Sequence, residues 1–268
     1  MRLGGWERGN KRFPTLSYNC WSFFDEADEV DSMEKNMTPL DTPTAEAPYV
    51  PVMPPPRFFF GVALGSAIFF GFWTWFVHPW AKPNPEFDMD LAEYWLTFSA
   101  EHHRPLGFVI FLTDLGGIAS MTLLAIMGTI WQTAIKQRTL AFAWLGIIIG
   151  GALINQCIKE GFGRPRPPES MRESVVHERN ASYPSGHSMA STIGFGLLGY
   201  ALVLPQRHRS RRIAAMTLMI VIVLAIGFSR IYLRAHWFSD VIGGWAAGIA
   251  WLFLCLGWLE RYRRRQLV

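Results

Sequence analysis

The chain has 268 residues, of which 50% are hydrophobic and only 17% are charged. Lysine and arginine number 25 against 21 aspartate and glutamate residues, so the formal net charge at pH 7 is +4. This composition excludes a chain that is disordered throughout, and its charge is too small to indicate a nucleic-acid-binding protein. The hydrophobic residues cluster in runs of about 20, the length that a membrane-spanning helix requires.

Residues 1–57 form a polar segment ahead of the first hydrophobic run. They include 6 Lys and Arg, 9 Asp and Glu, an acidic patch at 25–31 and a proline-rich end. Because no helical periodicity persists, this segment is predicted to be a disordered tail. No charged start leads into a hydrophobic run, so we expect no signal peptide. Met33 and Met37 are alternative start sites, which a mass measurement of the native N-terminus distinguishes.

Six hydrophobic runs follow, and each is predicted to be a transmembrane helix. They lie at 58–77, 106–131, 140–158, 186–204, 213–228 and 237–259. Helices are expected because every backbone polar group inside a bilayer must be hydrogen-bonded within its own span. The predicted fold class is therefore all-α, a six-transmembrane helical bundle over residues 58–259, with a basic cytoplasmic C-terminus at 260–268. Residues 87–98 have amphipathic spacing and are predicted to lie on the membrane surface.

The distribution of Lys and Arg in the short loops predicts the orientation. The turn after the second run has two, the turn after the fourth has four, and the C-terminal segment has four. These segments and the N-terminus share the side predicted to be cytoplasmic, which fits a bacterial inner membrane. The loops 159–185 and 229–236 then face outward, although they contain seven Lys and Arg. Trp237 is predicted to lie at the outer interface, in an aromatic belt.

Three polar clusters border the outer loops and offer an explanation for those cations. The first is Lys159-Glu-Gly-Phe-Gly-Arg-Pro-Arg166-Pro167, at the end of the third run. The second is Tyr183-Pro-Ser-Gly-His187, at the start of the fourth. The third is Ser229-Arg230, followed by five residues, His236, three residues and Asp240. All three clusters are expected at the outer membrane interface, which is therefore the predicted position of the active site.

The third cluster contains the parts of an activated nucleophile. His236 and Asp240 are four residues apart and therefore share one face of a helix. Asp240 can accept the Nδ1 proton of the imidazole and leave Nε2 free to attack. His187, in the second cluster, is a further imidazole that can donate a proton.

The remaining groups of the clusters suit a tetrahedral dianion. Guanidinium groups bind phosphate oxygens in pairs, and a helix N-terminus adds about half a positive charge. The cage is predicted to consist of Lys159, Arg166, Arg230, the hydroxyl of Ser185 and the N–H of Gly186. The sequence thus predicts a phosphoryl-transfer site with no metal and no cofactor, in which these cations do what Mg²⁺ does elsewhere.

The three clusters resemble the signature of the type-2 phosphatidic acid phosphatase superfamily. The pattern K-x6-R-P, P-S-G-H and S-R-x5-H-x3-D matches in all three parts, in order and without a substitution. The superfamily also includes undecaprenyl-diphosphate phosphatases, glucose-6-phosphatase and the vanadium haloperoxidases. The resemblance covers roughly residues 58–259 and has no counterpart for the tail.

The resemblance implies a role for each matching position. His236 would form a phosphohistidine, Asp240 would orient it, and His187 would protonate the leaving oxygen and then activate water. The phosphoryl oxygens would be bound by Lys159, Arg166, Ser185, Gly186 and Arg230. The implied protein is a membrane lipid phosphate phosphatase that acts on a phosphatidate-type or polyprenyl phosphate or diphosphate. Its partners would be the lipid substrate and the bilayer, with no nucleic acid; its oligomeric state is not specified.

Several charged residues lie outside the signature. Arg164 is interpreted as a solvated side chain in preference to a ligand of a second phosphate. Arg172 and Arg179 are interpreted as interfacial anchors, and Arg234 receives no role. Asp114 interrupts the second hydrophobic run and either pairs with a cation of the site or hydrogen-bonds to helix ends.

Four other functions are compatible with parts of the pattern. A phosphotransferase would pass the phosphoryl group from the histidine to a lipid acceptor instead of water. A haloperoxidase would bind vanadate in the same cage, but six spans argue against that soluble class. An intramembrane protease pairing Ser185 with His236 leaves the cations unexplained and lacks a G-x-S-x-G turn. A transporter is expected to show internal repeats and polar groups at mid-membrane, and the sequence shows neither.

Overall fold

The structure is a computed structural model that describes residues 53–77, 86–102, 105–204, 206 and 208–266. The predicted tail therefore lies outside the described residues except for its last five. The described part of the chain folds into eight α-helices and has no β-strand. The all-α prediction is confirmed.

The helices follow one another with short connections, apart from one long loop. They are α1 (Pro56–Val77), α2 (Glu86–Glu101), α3 (Leu106–Leu115), α4 (Ile118–Ala134), α5 (Arg138–Phe162), α6 (Gly186–Val203), α7 (Arg209–Tyr232) and α8 (Phe238–Gln266). Helix α2 covers the segment predicted to lie on the membrane surface. Residues 163–185, here called the site loop, connect α5 to α6 without a helix.

The predicted count of six spans is not confirmed. By length and hydrophobicity, α1, α5, α7 and α8 can each cross a membrane, and α3 with α4 makes a fifth span if the pair counts as one. Helix α6, over the predicted fourth span, is not among them. Its first turns carry His, Ser and Thr, which face protein instead of lipid, so the helix is less hydrophobic than one that contacts the bilayer.

Helix α6 lies at the centre of the bundle. Eleven of its 18 residues are buried, compared with four of 22 in α1. It packs against α4, α5, α7 and α8, and Met189, Ile193 and Leu197 contribute to the main hydrophobic core. A Cβ atom on Gly244 of α8 would lie 2.7 Å from the carbonyl oxygen of Ser185. The absence of a side chain therefore lets α8 approach the start of α6 closely.

The second predicted span is broken rather than continuous. Helices α3 and α4 meet at Gly116–Gly117 with a bend of 45°. A Cβ atom on Gly116 would lie 2.6 Å from the side chain of Ile226 and 3.3 Å from the carbonyl oxygen of His187. Glycine is thus required where the broken helix passes the N-terminus of α6, next to one of the predicted catalytic residues.

Candidate active site

The three sequence clusters meet at one end of the bundle. Lys159 is near the end of α5, Gly186 begins α6, Arg230 is near the end of α7, and Asp240 is in the first turn of α8. The site loop lies among these helix ends, since its residues hydrogen-bond to groups of α5, α7 and α8. Alternating passage of the helices through the bundle brings the three clusters to the same end.

His236 and Asp240 have the predicted geometry. His236 is 3% exposed, and its Nδ1 lies 3.3 Å from Oδ2 of Asp240. That oxygen also accepts hydrogen bonds from the backbone N–H of Trp237 at 3.0 Å and from the hydroxyl of Ser182. On the opposite side of the ring, Nε2 lies 3.1 Å from Nη1 of Arg166. Both contacts are satisfied by the tautomer with the proton on Nδ1, which leaves the Nε2 lone pair towards the arginine.

Arg166 and Arg230 present their guanidinium groups beside the histidine. Arg166 donates to the carbonyl oxygens of Asn180 and Ala235 at 2.8 and 2.7 Å. Arg230 donates to the hydroxyl of Thr113 at 2.9 Å. The carboxylate of Glu178 bridges the two arginines, with a direct hydrogen bond from Arg230 and 3.9 Å to Nη1 of Arg166.

Lys159 and the start of α6 complete the predicted phosphate ligands. The ammonium of Lys159 is buried and donates to the carbonyl oxygen of Ala181 at 2.5 Å. A Cβ atom on Gly186 would lie 3.9 Å from Cε of Lys159. The hydroxyl of Ser185 caps α6 by accepting from the N–H of Ser188 at 3.4 Å. We refer to the three cations together as the cationic cage, which consists of Lys159, Arg166 and Arg230.

His187 lies at the first turn of α6, beside the break between α3 and α4. Its Nε2 would be 3.7 Å from a Cβ atom on Gly117. It lies close enough to His236 and Glu178 to influence the pKa of both, so it belongs to the same electrostatic cluster. The structure thus brings all eight sequence-predicted site residues to one end of the bundle.

Burial and the charges of the cluster shift the pKa values of its loop residues. Burial, followed by the positive charges of Arg166, Arg230 and Lys159, holds the pKa of His236 well below 6.5. Burial lowers the pKa of Arg166 to about 10, although Glu178 opposes this change. Burial by itself would raise the pKa of Glu178, but the two arginines hold it below its ordinary value. At neutral pH the histidine is therefore uncharged, while the arginine and the glutamate are ionised.

The interpretation of Arg164 as a solvated side chain is wrong. Arg164 is 6% exposed, and its Nη1 donates to Oδ1 of Asp240 at 2.6 Å and to the hydroxyl of Ser239 at 2.7 Å. Its Nη2 donates to Oδ2 of Asp88, in the first turn of α2, at 2.8 Å. Two buried carboxylates therefore draw this arginine inward. The hydrophobic, buried surroundings make such pairing necessary for any charge placed there.

Arg234 is buried as well and connects the site loop to α2. It pairs with Glu173 at 2.5 Å and donates to the carbonyl oxygen of Trp95 at 3.1 Å and the hydroxyl of Ser99 at 3.2 Å. Trp237, predicted at an interfacial belt, is instead only 2% exposed. Its ring lies under the guanidinium of Arg164, with 5.9 Å from the Cζ atom to the ring centroid.

The remaining charged residues differ from one another. Arg172, predicted to be an interfacial anchor, donates to the carbonyl oxygen of Glu178 at 3.1 Å and so supports the site loop. Arg179 is exposed. The side chain of Asp114 is exposed at the end of α3, while the neighbouring Thr113 is the residue that contacts Arg230. In the described part of the chain, no group of three or more His, Cys, Asp or Glu side chains is arranged to hold a metal ion.

Four residues of the site were missed by sequence reasoning. Glu178 offered a signal, because it is an acid within a loop rich in cations. Ser182 also offered a signal, because it directly precedes the second cluster. Asp88 and Ser239 offered none, since their contacts join segments 151 residues apart in the chain.

Comparison with known proteins agrees with this arrangement. The family model of the PAP2 superfamily matches residues 139–264, which contain all eight predicted site residues. This region of the chain is therefore similar to the PAP2 superfamily, as the signature indicated. The chain is accordingly an integral membrane protein.

Three relatives illustrate the similarity. Phosphatidylglycerophosphatase B of Bacillus subtilis is 35% identical over 114 residues, which cover 42% of this chain and 54% of that protein. Lipid A 1-phosphatase of Rhizobium johnstonii is 33% identical over 132 residues, covering 44% of this chain and 49% of that protein. Undecaprenyl-diphosphatase BcrC of Bacillus subtilis is 26% identical over 157 residues, covering 57% and 75%. The chain therefore spans about half the length of the first two relatives.

A solved structure extends the similarity beyond the matched region. The crystal structure of a transmembrane PAP2-type phosphatidylglycerolphosphate phosphatase from Bacillus subtilis superposes with a TM-score of 0.66 at 25% identity. The superposition covers 76% of this chain and 98% of that one. The arrangement of helices around the site is thus shared with a membrane phosphatase.

Proposed function

We propose that this protein is a membrane-bound lipid phosphate phosphatase that acts through a phosphohistidine and requires no metal ion. The observation that carries the proposal is the orientation of His236. Its Nδ1 faces a buried carboxylate at 3.3 Å, and its Nε2 faces a guanidinium of the cationic cage at 3.1 Å. A phosphoryl group held by the cage would therefore meet the nucleophilic nitrogen.

The proposed reaction has two steps. Nε2 of His236 attacks phosphorus as the bond to the leaving oxygen breaks, and His187 gives a proton to that oxygen. Water, deprotonated by His187, then attacks the phosphohistidine and releases inorganic phosphate. Asp240 stabilises the positive charge that the imidazole acquires, and the cage stabilises the charge on the phosphoryl oxygens.

We further propose that the substrate is a phosphate or diphosphate whose lipid tail remains in the bilayer. The site is at the ends of hydrophobic helices, where a polar head group can reach the cage. The names of the relatives support phosphatidylglycerophosphate, lipid A 1-phosphate and undecaprenyl diphosphate as members of the test panel. Phosphatidic acid completes it.

The proposed orientation places both termini in the cytoplasm and the site on the outer face of a bacterial inner membrane. The basic residues at the start of α7 and the end of α8 support this orientation through the positive-inside rule. With α3 and α4 counted as one span and α6 included, the chain crosses the membrane six times. Labelling of a cysteine introduced at Arg179 by a membrane-impermeant reagent on intact spheroplasts, with no labelling at Arg265, is the expected result.

The deciding experiment measures phosphate release from the lipid panel by protein purified in detergent, with and without EDTA. We expect release from at least one lipid, unchanged by EDTA, and a loss of at least about 10⁴-fold in His236→Ala, since the nucleophile is essential. Arg179→Ala removes an exposed cation of the site loop and is the matched control, with activity near that of the wild type.

Assays on the same preparation distinguish the alternative mechanisms and functions. Activity that survives in His236→Ala contradicts the phosphohistidine, and activity abolished by EDTA contradicts metal independence. Phosphoryl transfer to an added lipid alcohol, in excess of phosphate release, identifies a phosphotransferase. Vanadate-dependent oxidation of bromide identifies a haloperoxidase.

A further inference from the structure

Helix α2 places a buried carboxylate next to the site, outside the region that matches the family. Asp88 is 1% exposed and belongs to the first turn of this helix. Its Oδ1 accepts from the backbone N–H of Ser239 at 3.0 Å, and its Oδ2 accepts from the hydroxyl of Ser239 at 2.5 Å. The same Oδ2 accepts from Nη2 of Arg164 at 2.8 Å. A buried carboxylate with three donors is fixed in position.

Arg164 connects the carboxylate of Asp88 to the carboxylate of Asp240, on α8. Its Nη1 donates to Oδ1 of Asp240 at 2.6 Å, while its Nη2 is held by Asp88. Because the guanidinium is planar, fixing one nitrogen determines the direction of the other. The rotation of the Asp240 carboxylate is therefore set by where Asp88 holds the arginine.

The two carboxylate oxygens of Asp240 consequently contact different partners. Oδ1 is occupied by Arg164, and Oδ2 faces Nδ1 of His236 at 3.3 Å. Rotation of the carboxylate would move Oδ2 away from the imidazole and allow the ring to turn. The charges matter as well, because Asp88 and Asp240 share one guanidinium and the group keeps a net negative charge next to His236. Without Asp88, Arg164 would neutralise Asp240 fully and weaken its hold on the Nδ1 proton.

We propose that Asp88 is a positioning residue for the nucleophile, acting through Arg164 and Asp240 on the orientation and charge environment of His236. The proposal rests on the proposed function. It makes the docking of α2 a requirement for the chemical step, although α2 contributes no residue to the cationic cage. Binding of phosphate to the cage is independent of Asp88, because none of the three cage cations contacts it.

The test compares Asp88→Asn with Asp90→Asn in purified protein. Asp90 is an exposed acid two residues further along α2, so its variant makes the same change of charge on the same helix. For Asp88→Asn we expect kcat to fall by about 10- to 100-fold, the loss usual when a group that orients a functional imidazole is removed. KM should stay within about twofold, since the cage is intact, and Asp90→Asn should match the wild type.

Two inhibitors separate positioning from general damage. Inorganic phosphate reports on the cage, and its Ki should not change in Asp88→Asn. Vanadate adopts the five-coordinate geometry of the transition state with a bond to the nucleophile, so its Ki should rise in parallel with the loss of kcat. Asp88→Glu, which restores the carboxylate, should recover part of kcat.

Several results would overturn the proposal. An unchanged kcat in folded Asp88→Asn contradicts it, and so does a parallel rise of KM and of both Ki values, which indicates collapse of the whole site. If Asp88→Asn does not fold, Ser239→Ala removes one donor from Asp88, with an expected loss in kcat of roughly two- to fivefold at constant phosphate Ki. An unchanged kcat there is equally contradictory. Failure of the proposed function is distinguishable, because it leaves wild type and His236→Ala alike.

Discussion

The two arginines of the cationic cage and the two arginines beside it differ in their partners. Arg166 and Arg230 share the carboxylate of Glu178, whose side chain is 32% exposed. Arg164 and Arg234 pair with carboxylates whose side chains are at most 9% exposed. An ion pair at a partly exposed carboxylate can be exchanged for a phosphate at small cost, whereas a buried pair cannot be opened without leaving a charge in a dry environment.

The difference separates residues that bind from residues that hold the binding site together. The cage arginines otherwise donate to neutral groups, such as the carbonyl oxygen of Ala235 and the hydroxyl of Thr113. Part of their positive charge is therefore not neutralised within the protein and can attract a ligand. The buried arginines use their charge within the protein. Burial of an arginine is thus insufficient to assign it to a ligand; the exposure of its carboxylate partner is more informative.

Among the substitutions that test this comparison, the largest loss of activity is expected from removing one cage arginine. In Arg166→Ala we expect kcat/KM for the best lipid substrate to fall by about 10²–10³-fold, the usual loss for one charged donor to the transition state. The apparent melting temperature in detergent should change by only a few degrees, because Arg166 has no fully buried carboxylate partner. Phosphate release and thermal unfolding of the same preparation provide both measurements.

Arg234→Ala is the control that makes this comparison decisive. It removes the guanidinium next to the buried Glu173, and breaking a buried ion pair typically costs about 3–5 kcal/mol. The apparent melting temperature should fall by roughly 6–20 °C for a chain of this size. If Arg166→Ala were the less stable variant, or Arg234→Ala kept full stability, the division into two kinds of arginine would be wrong.

Sequence patterns predicted one of these groups and not the other. The signature identified Arg166 and Arg230, and the motifs' positions at helix ends were enough to expect them at one end of the bundle. Arg164 is two residues from Arg166 in the same loop, so composition and spacing could not distinguish them. Its partner Asp88 is 76 positions away, and only the packing of α2 against the start of α8 brings them into contact.

The fold, too, could be predicted only in part from the sequence. Hydrophobic runs predicted the helices well, because length and composition determine whether a segment can span a bilayer. They did not predict the 45° break at Gly116–Gly117, nor the central position of α6. Both depend on which neighbour a helix meets, such as the approach of Gly116 to Ile226 and His187.

The pH dependence of kcat/KM is expected to depend on the charge of the cage. Only the neutral imidazole of His236 can attack, so kcat/KM is lost as the pH falls through the pKa of this residue. Burial and the neighbouring cations hold that pKa well below 6.5, so the limb due to His236 should lie well below pH 6.5 in the wild type. Arg166→Ala removes the largest of the charges that lower this pKa and should move the limb to higher pH.

The measurement is the pH dependence of kcat/KM for wild type, Arg166→Ala and the control Arg179→Ala with one substrate. Titration of the substrate phosphate is common to the three proteins and cancels in their comparison. Coincident acid limbs in wild type and Arg166→Ala would contradict the assignment of the limb to His236. A displaced limb in Arg179→Ala would show that a distant loop charge suffices, which would remove the special status of the cage.

Among the substitutions that test this comparison, the smallest effect is expected from changing the carboxylate that the cage arginines share. Glu178 occupies the space between Arg166 and Arg230 and is ionised at neutral pH, so a phosphate dianion entering the cage meets a like charge there. Glu178→Gln keeps the size of the side chain and its acceptor oxygen but removes the charge. The Ki for inorganic phosphate should therefore fall by roughly three- to tenfold, equivalent to about 1 kcal/mol for one partly exposed charge. A higher Ki would mean that the carboxylate holds the two arginines in their binding positions, and Glu178 would then belong with the carboxylates of the buried pairs rather than with the exchangeable partner of the cage.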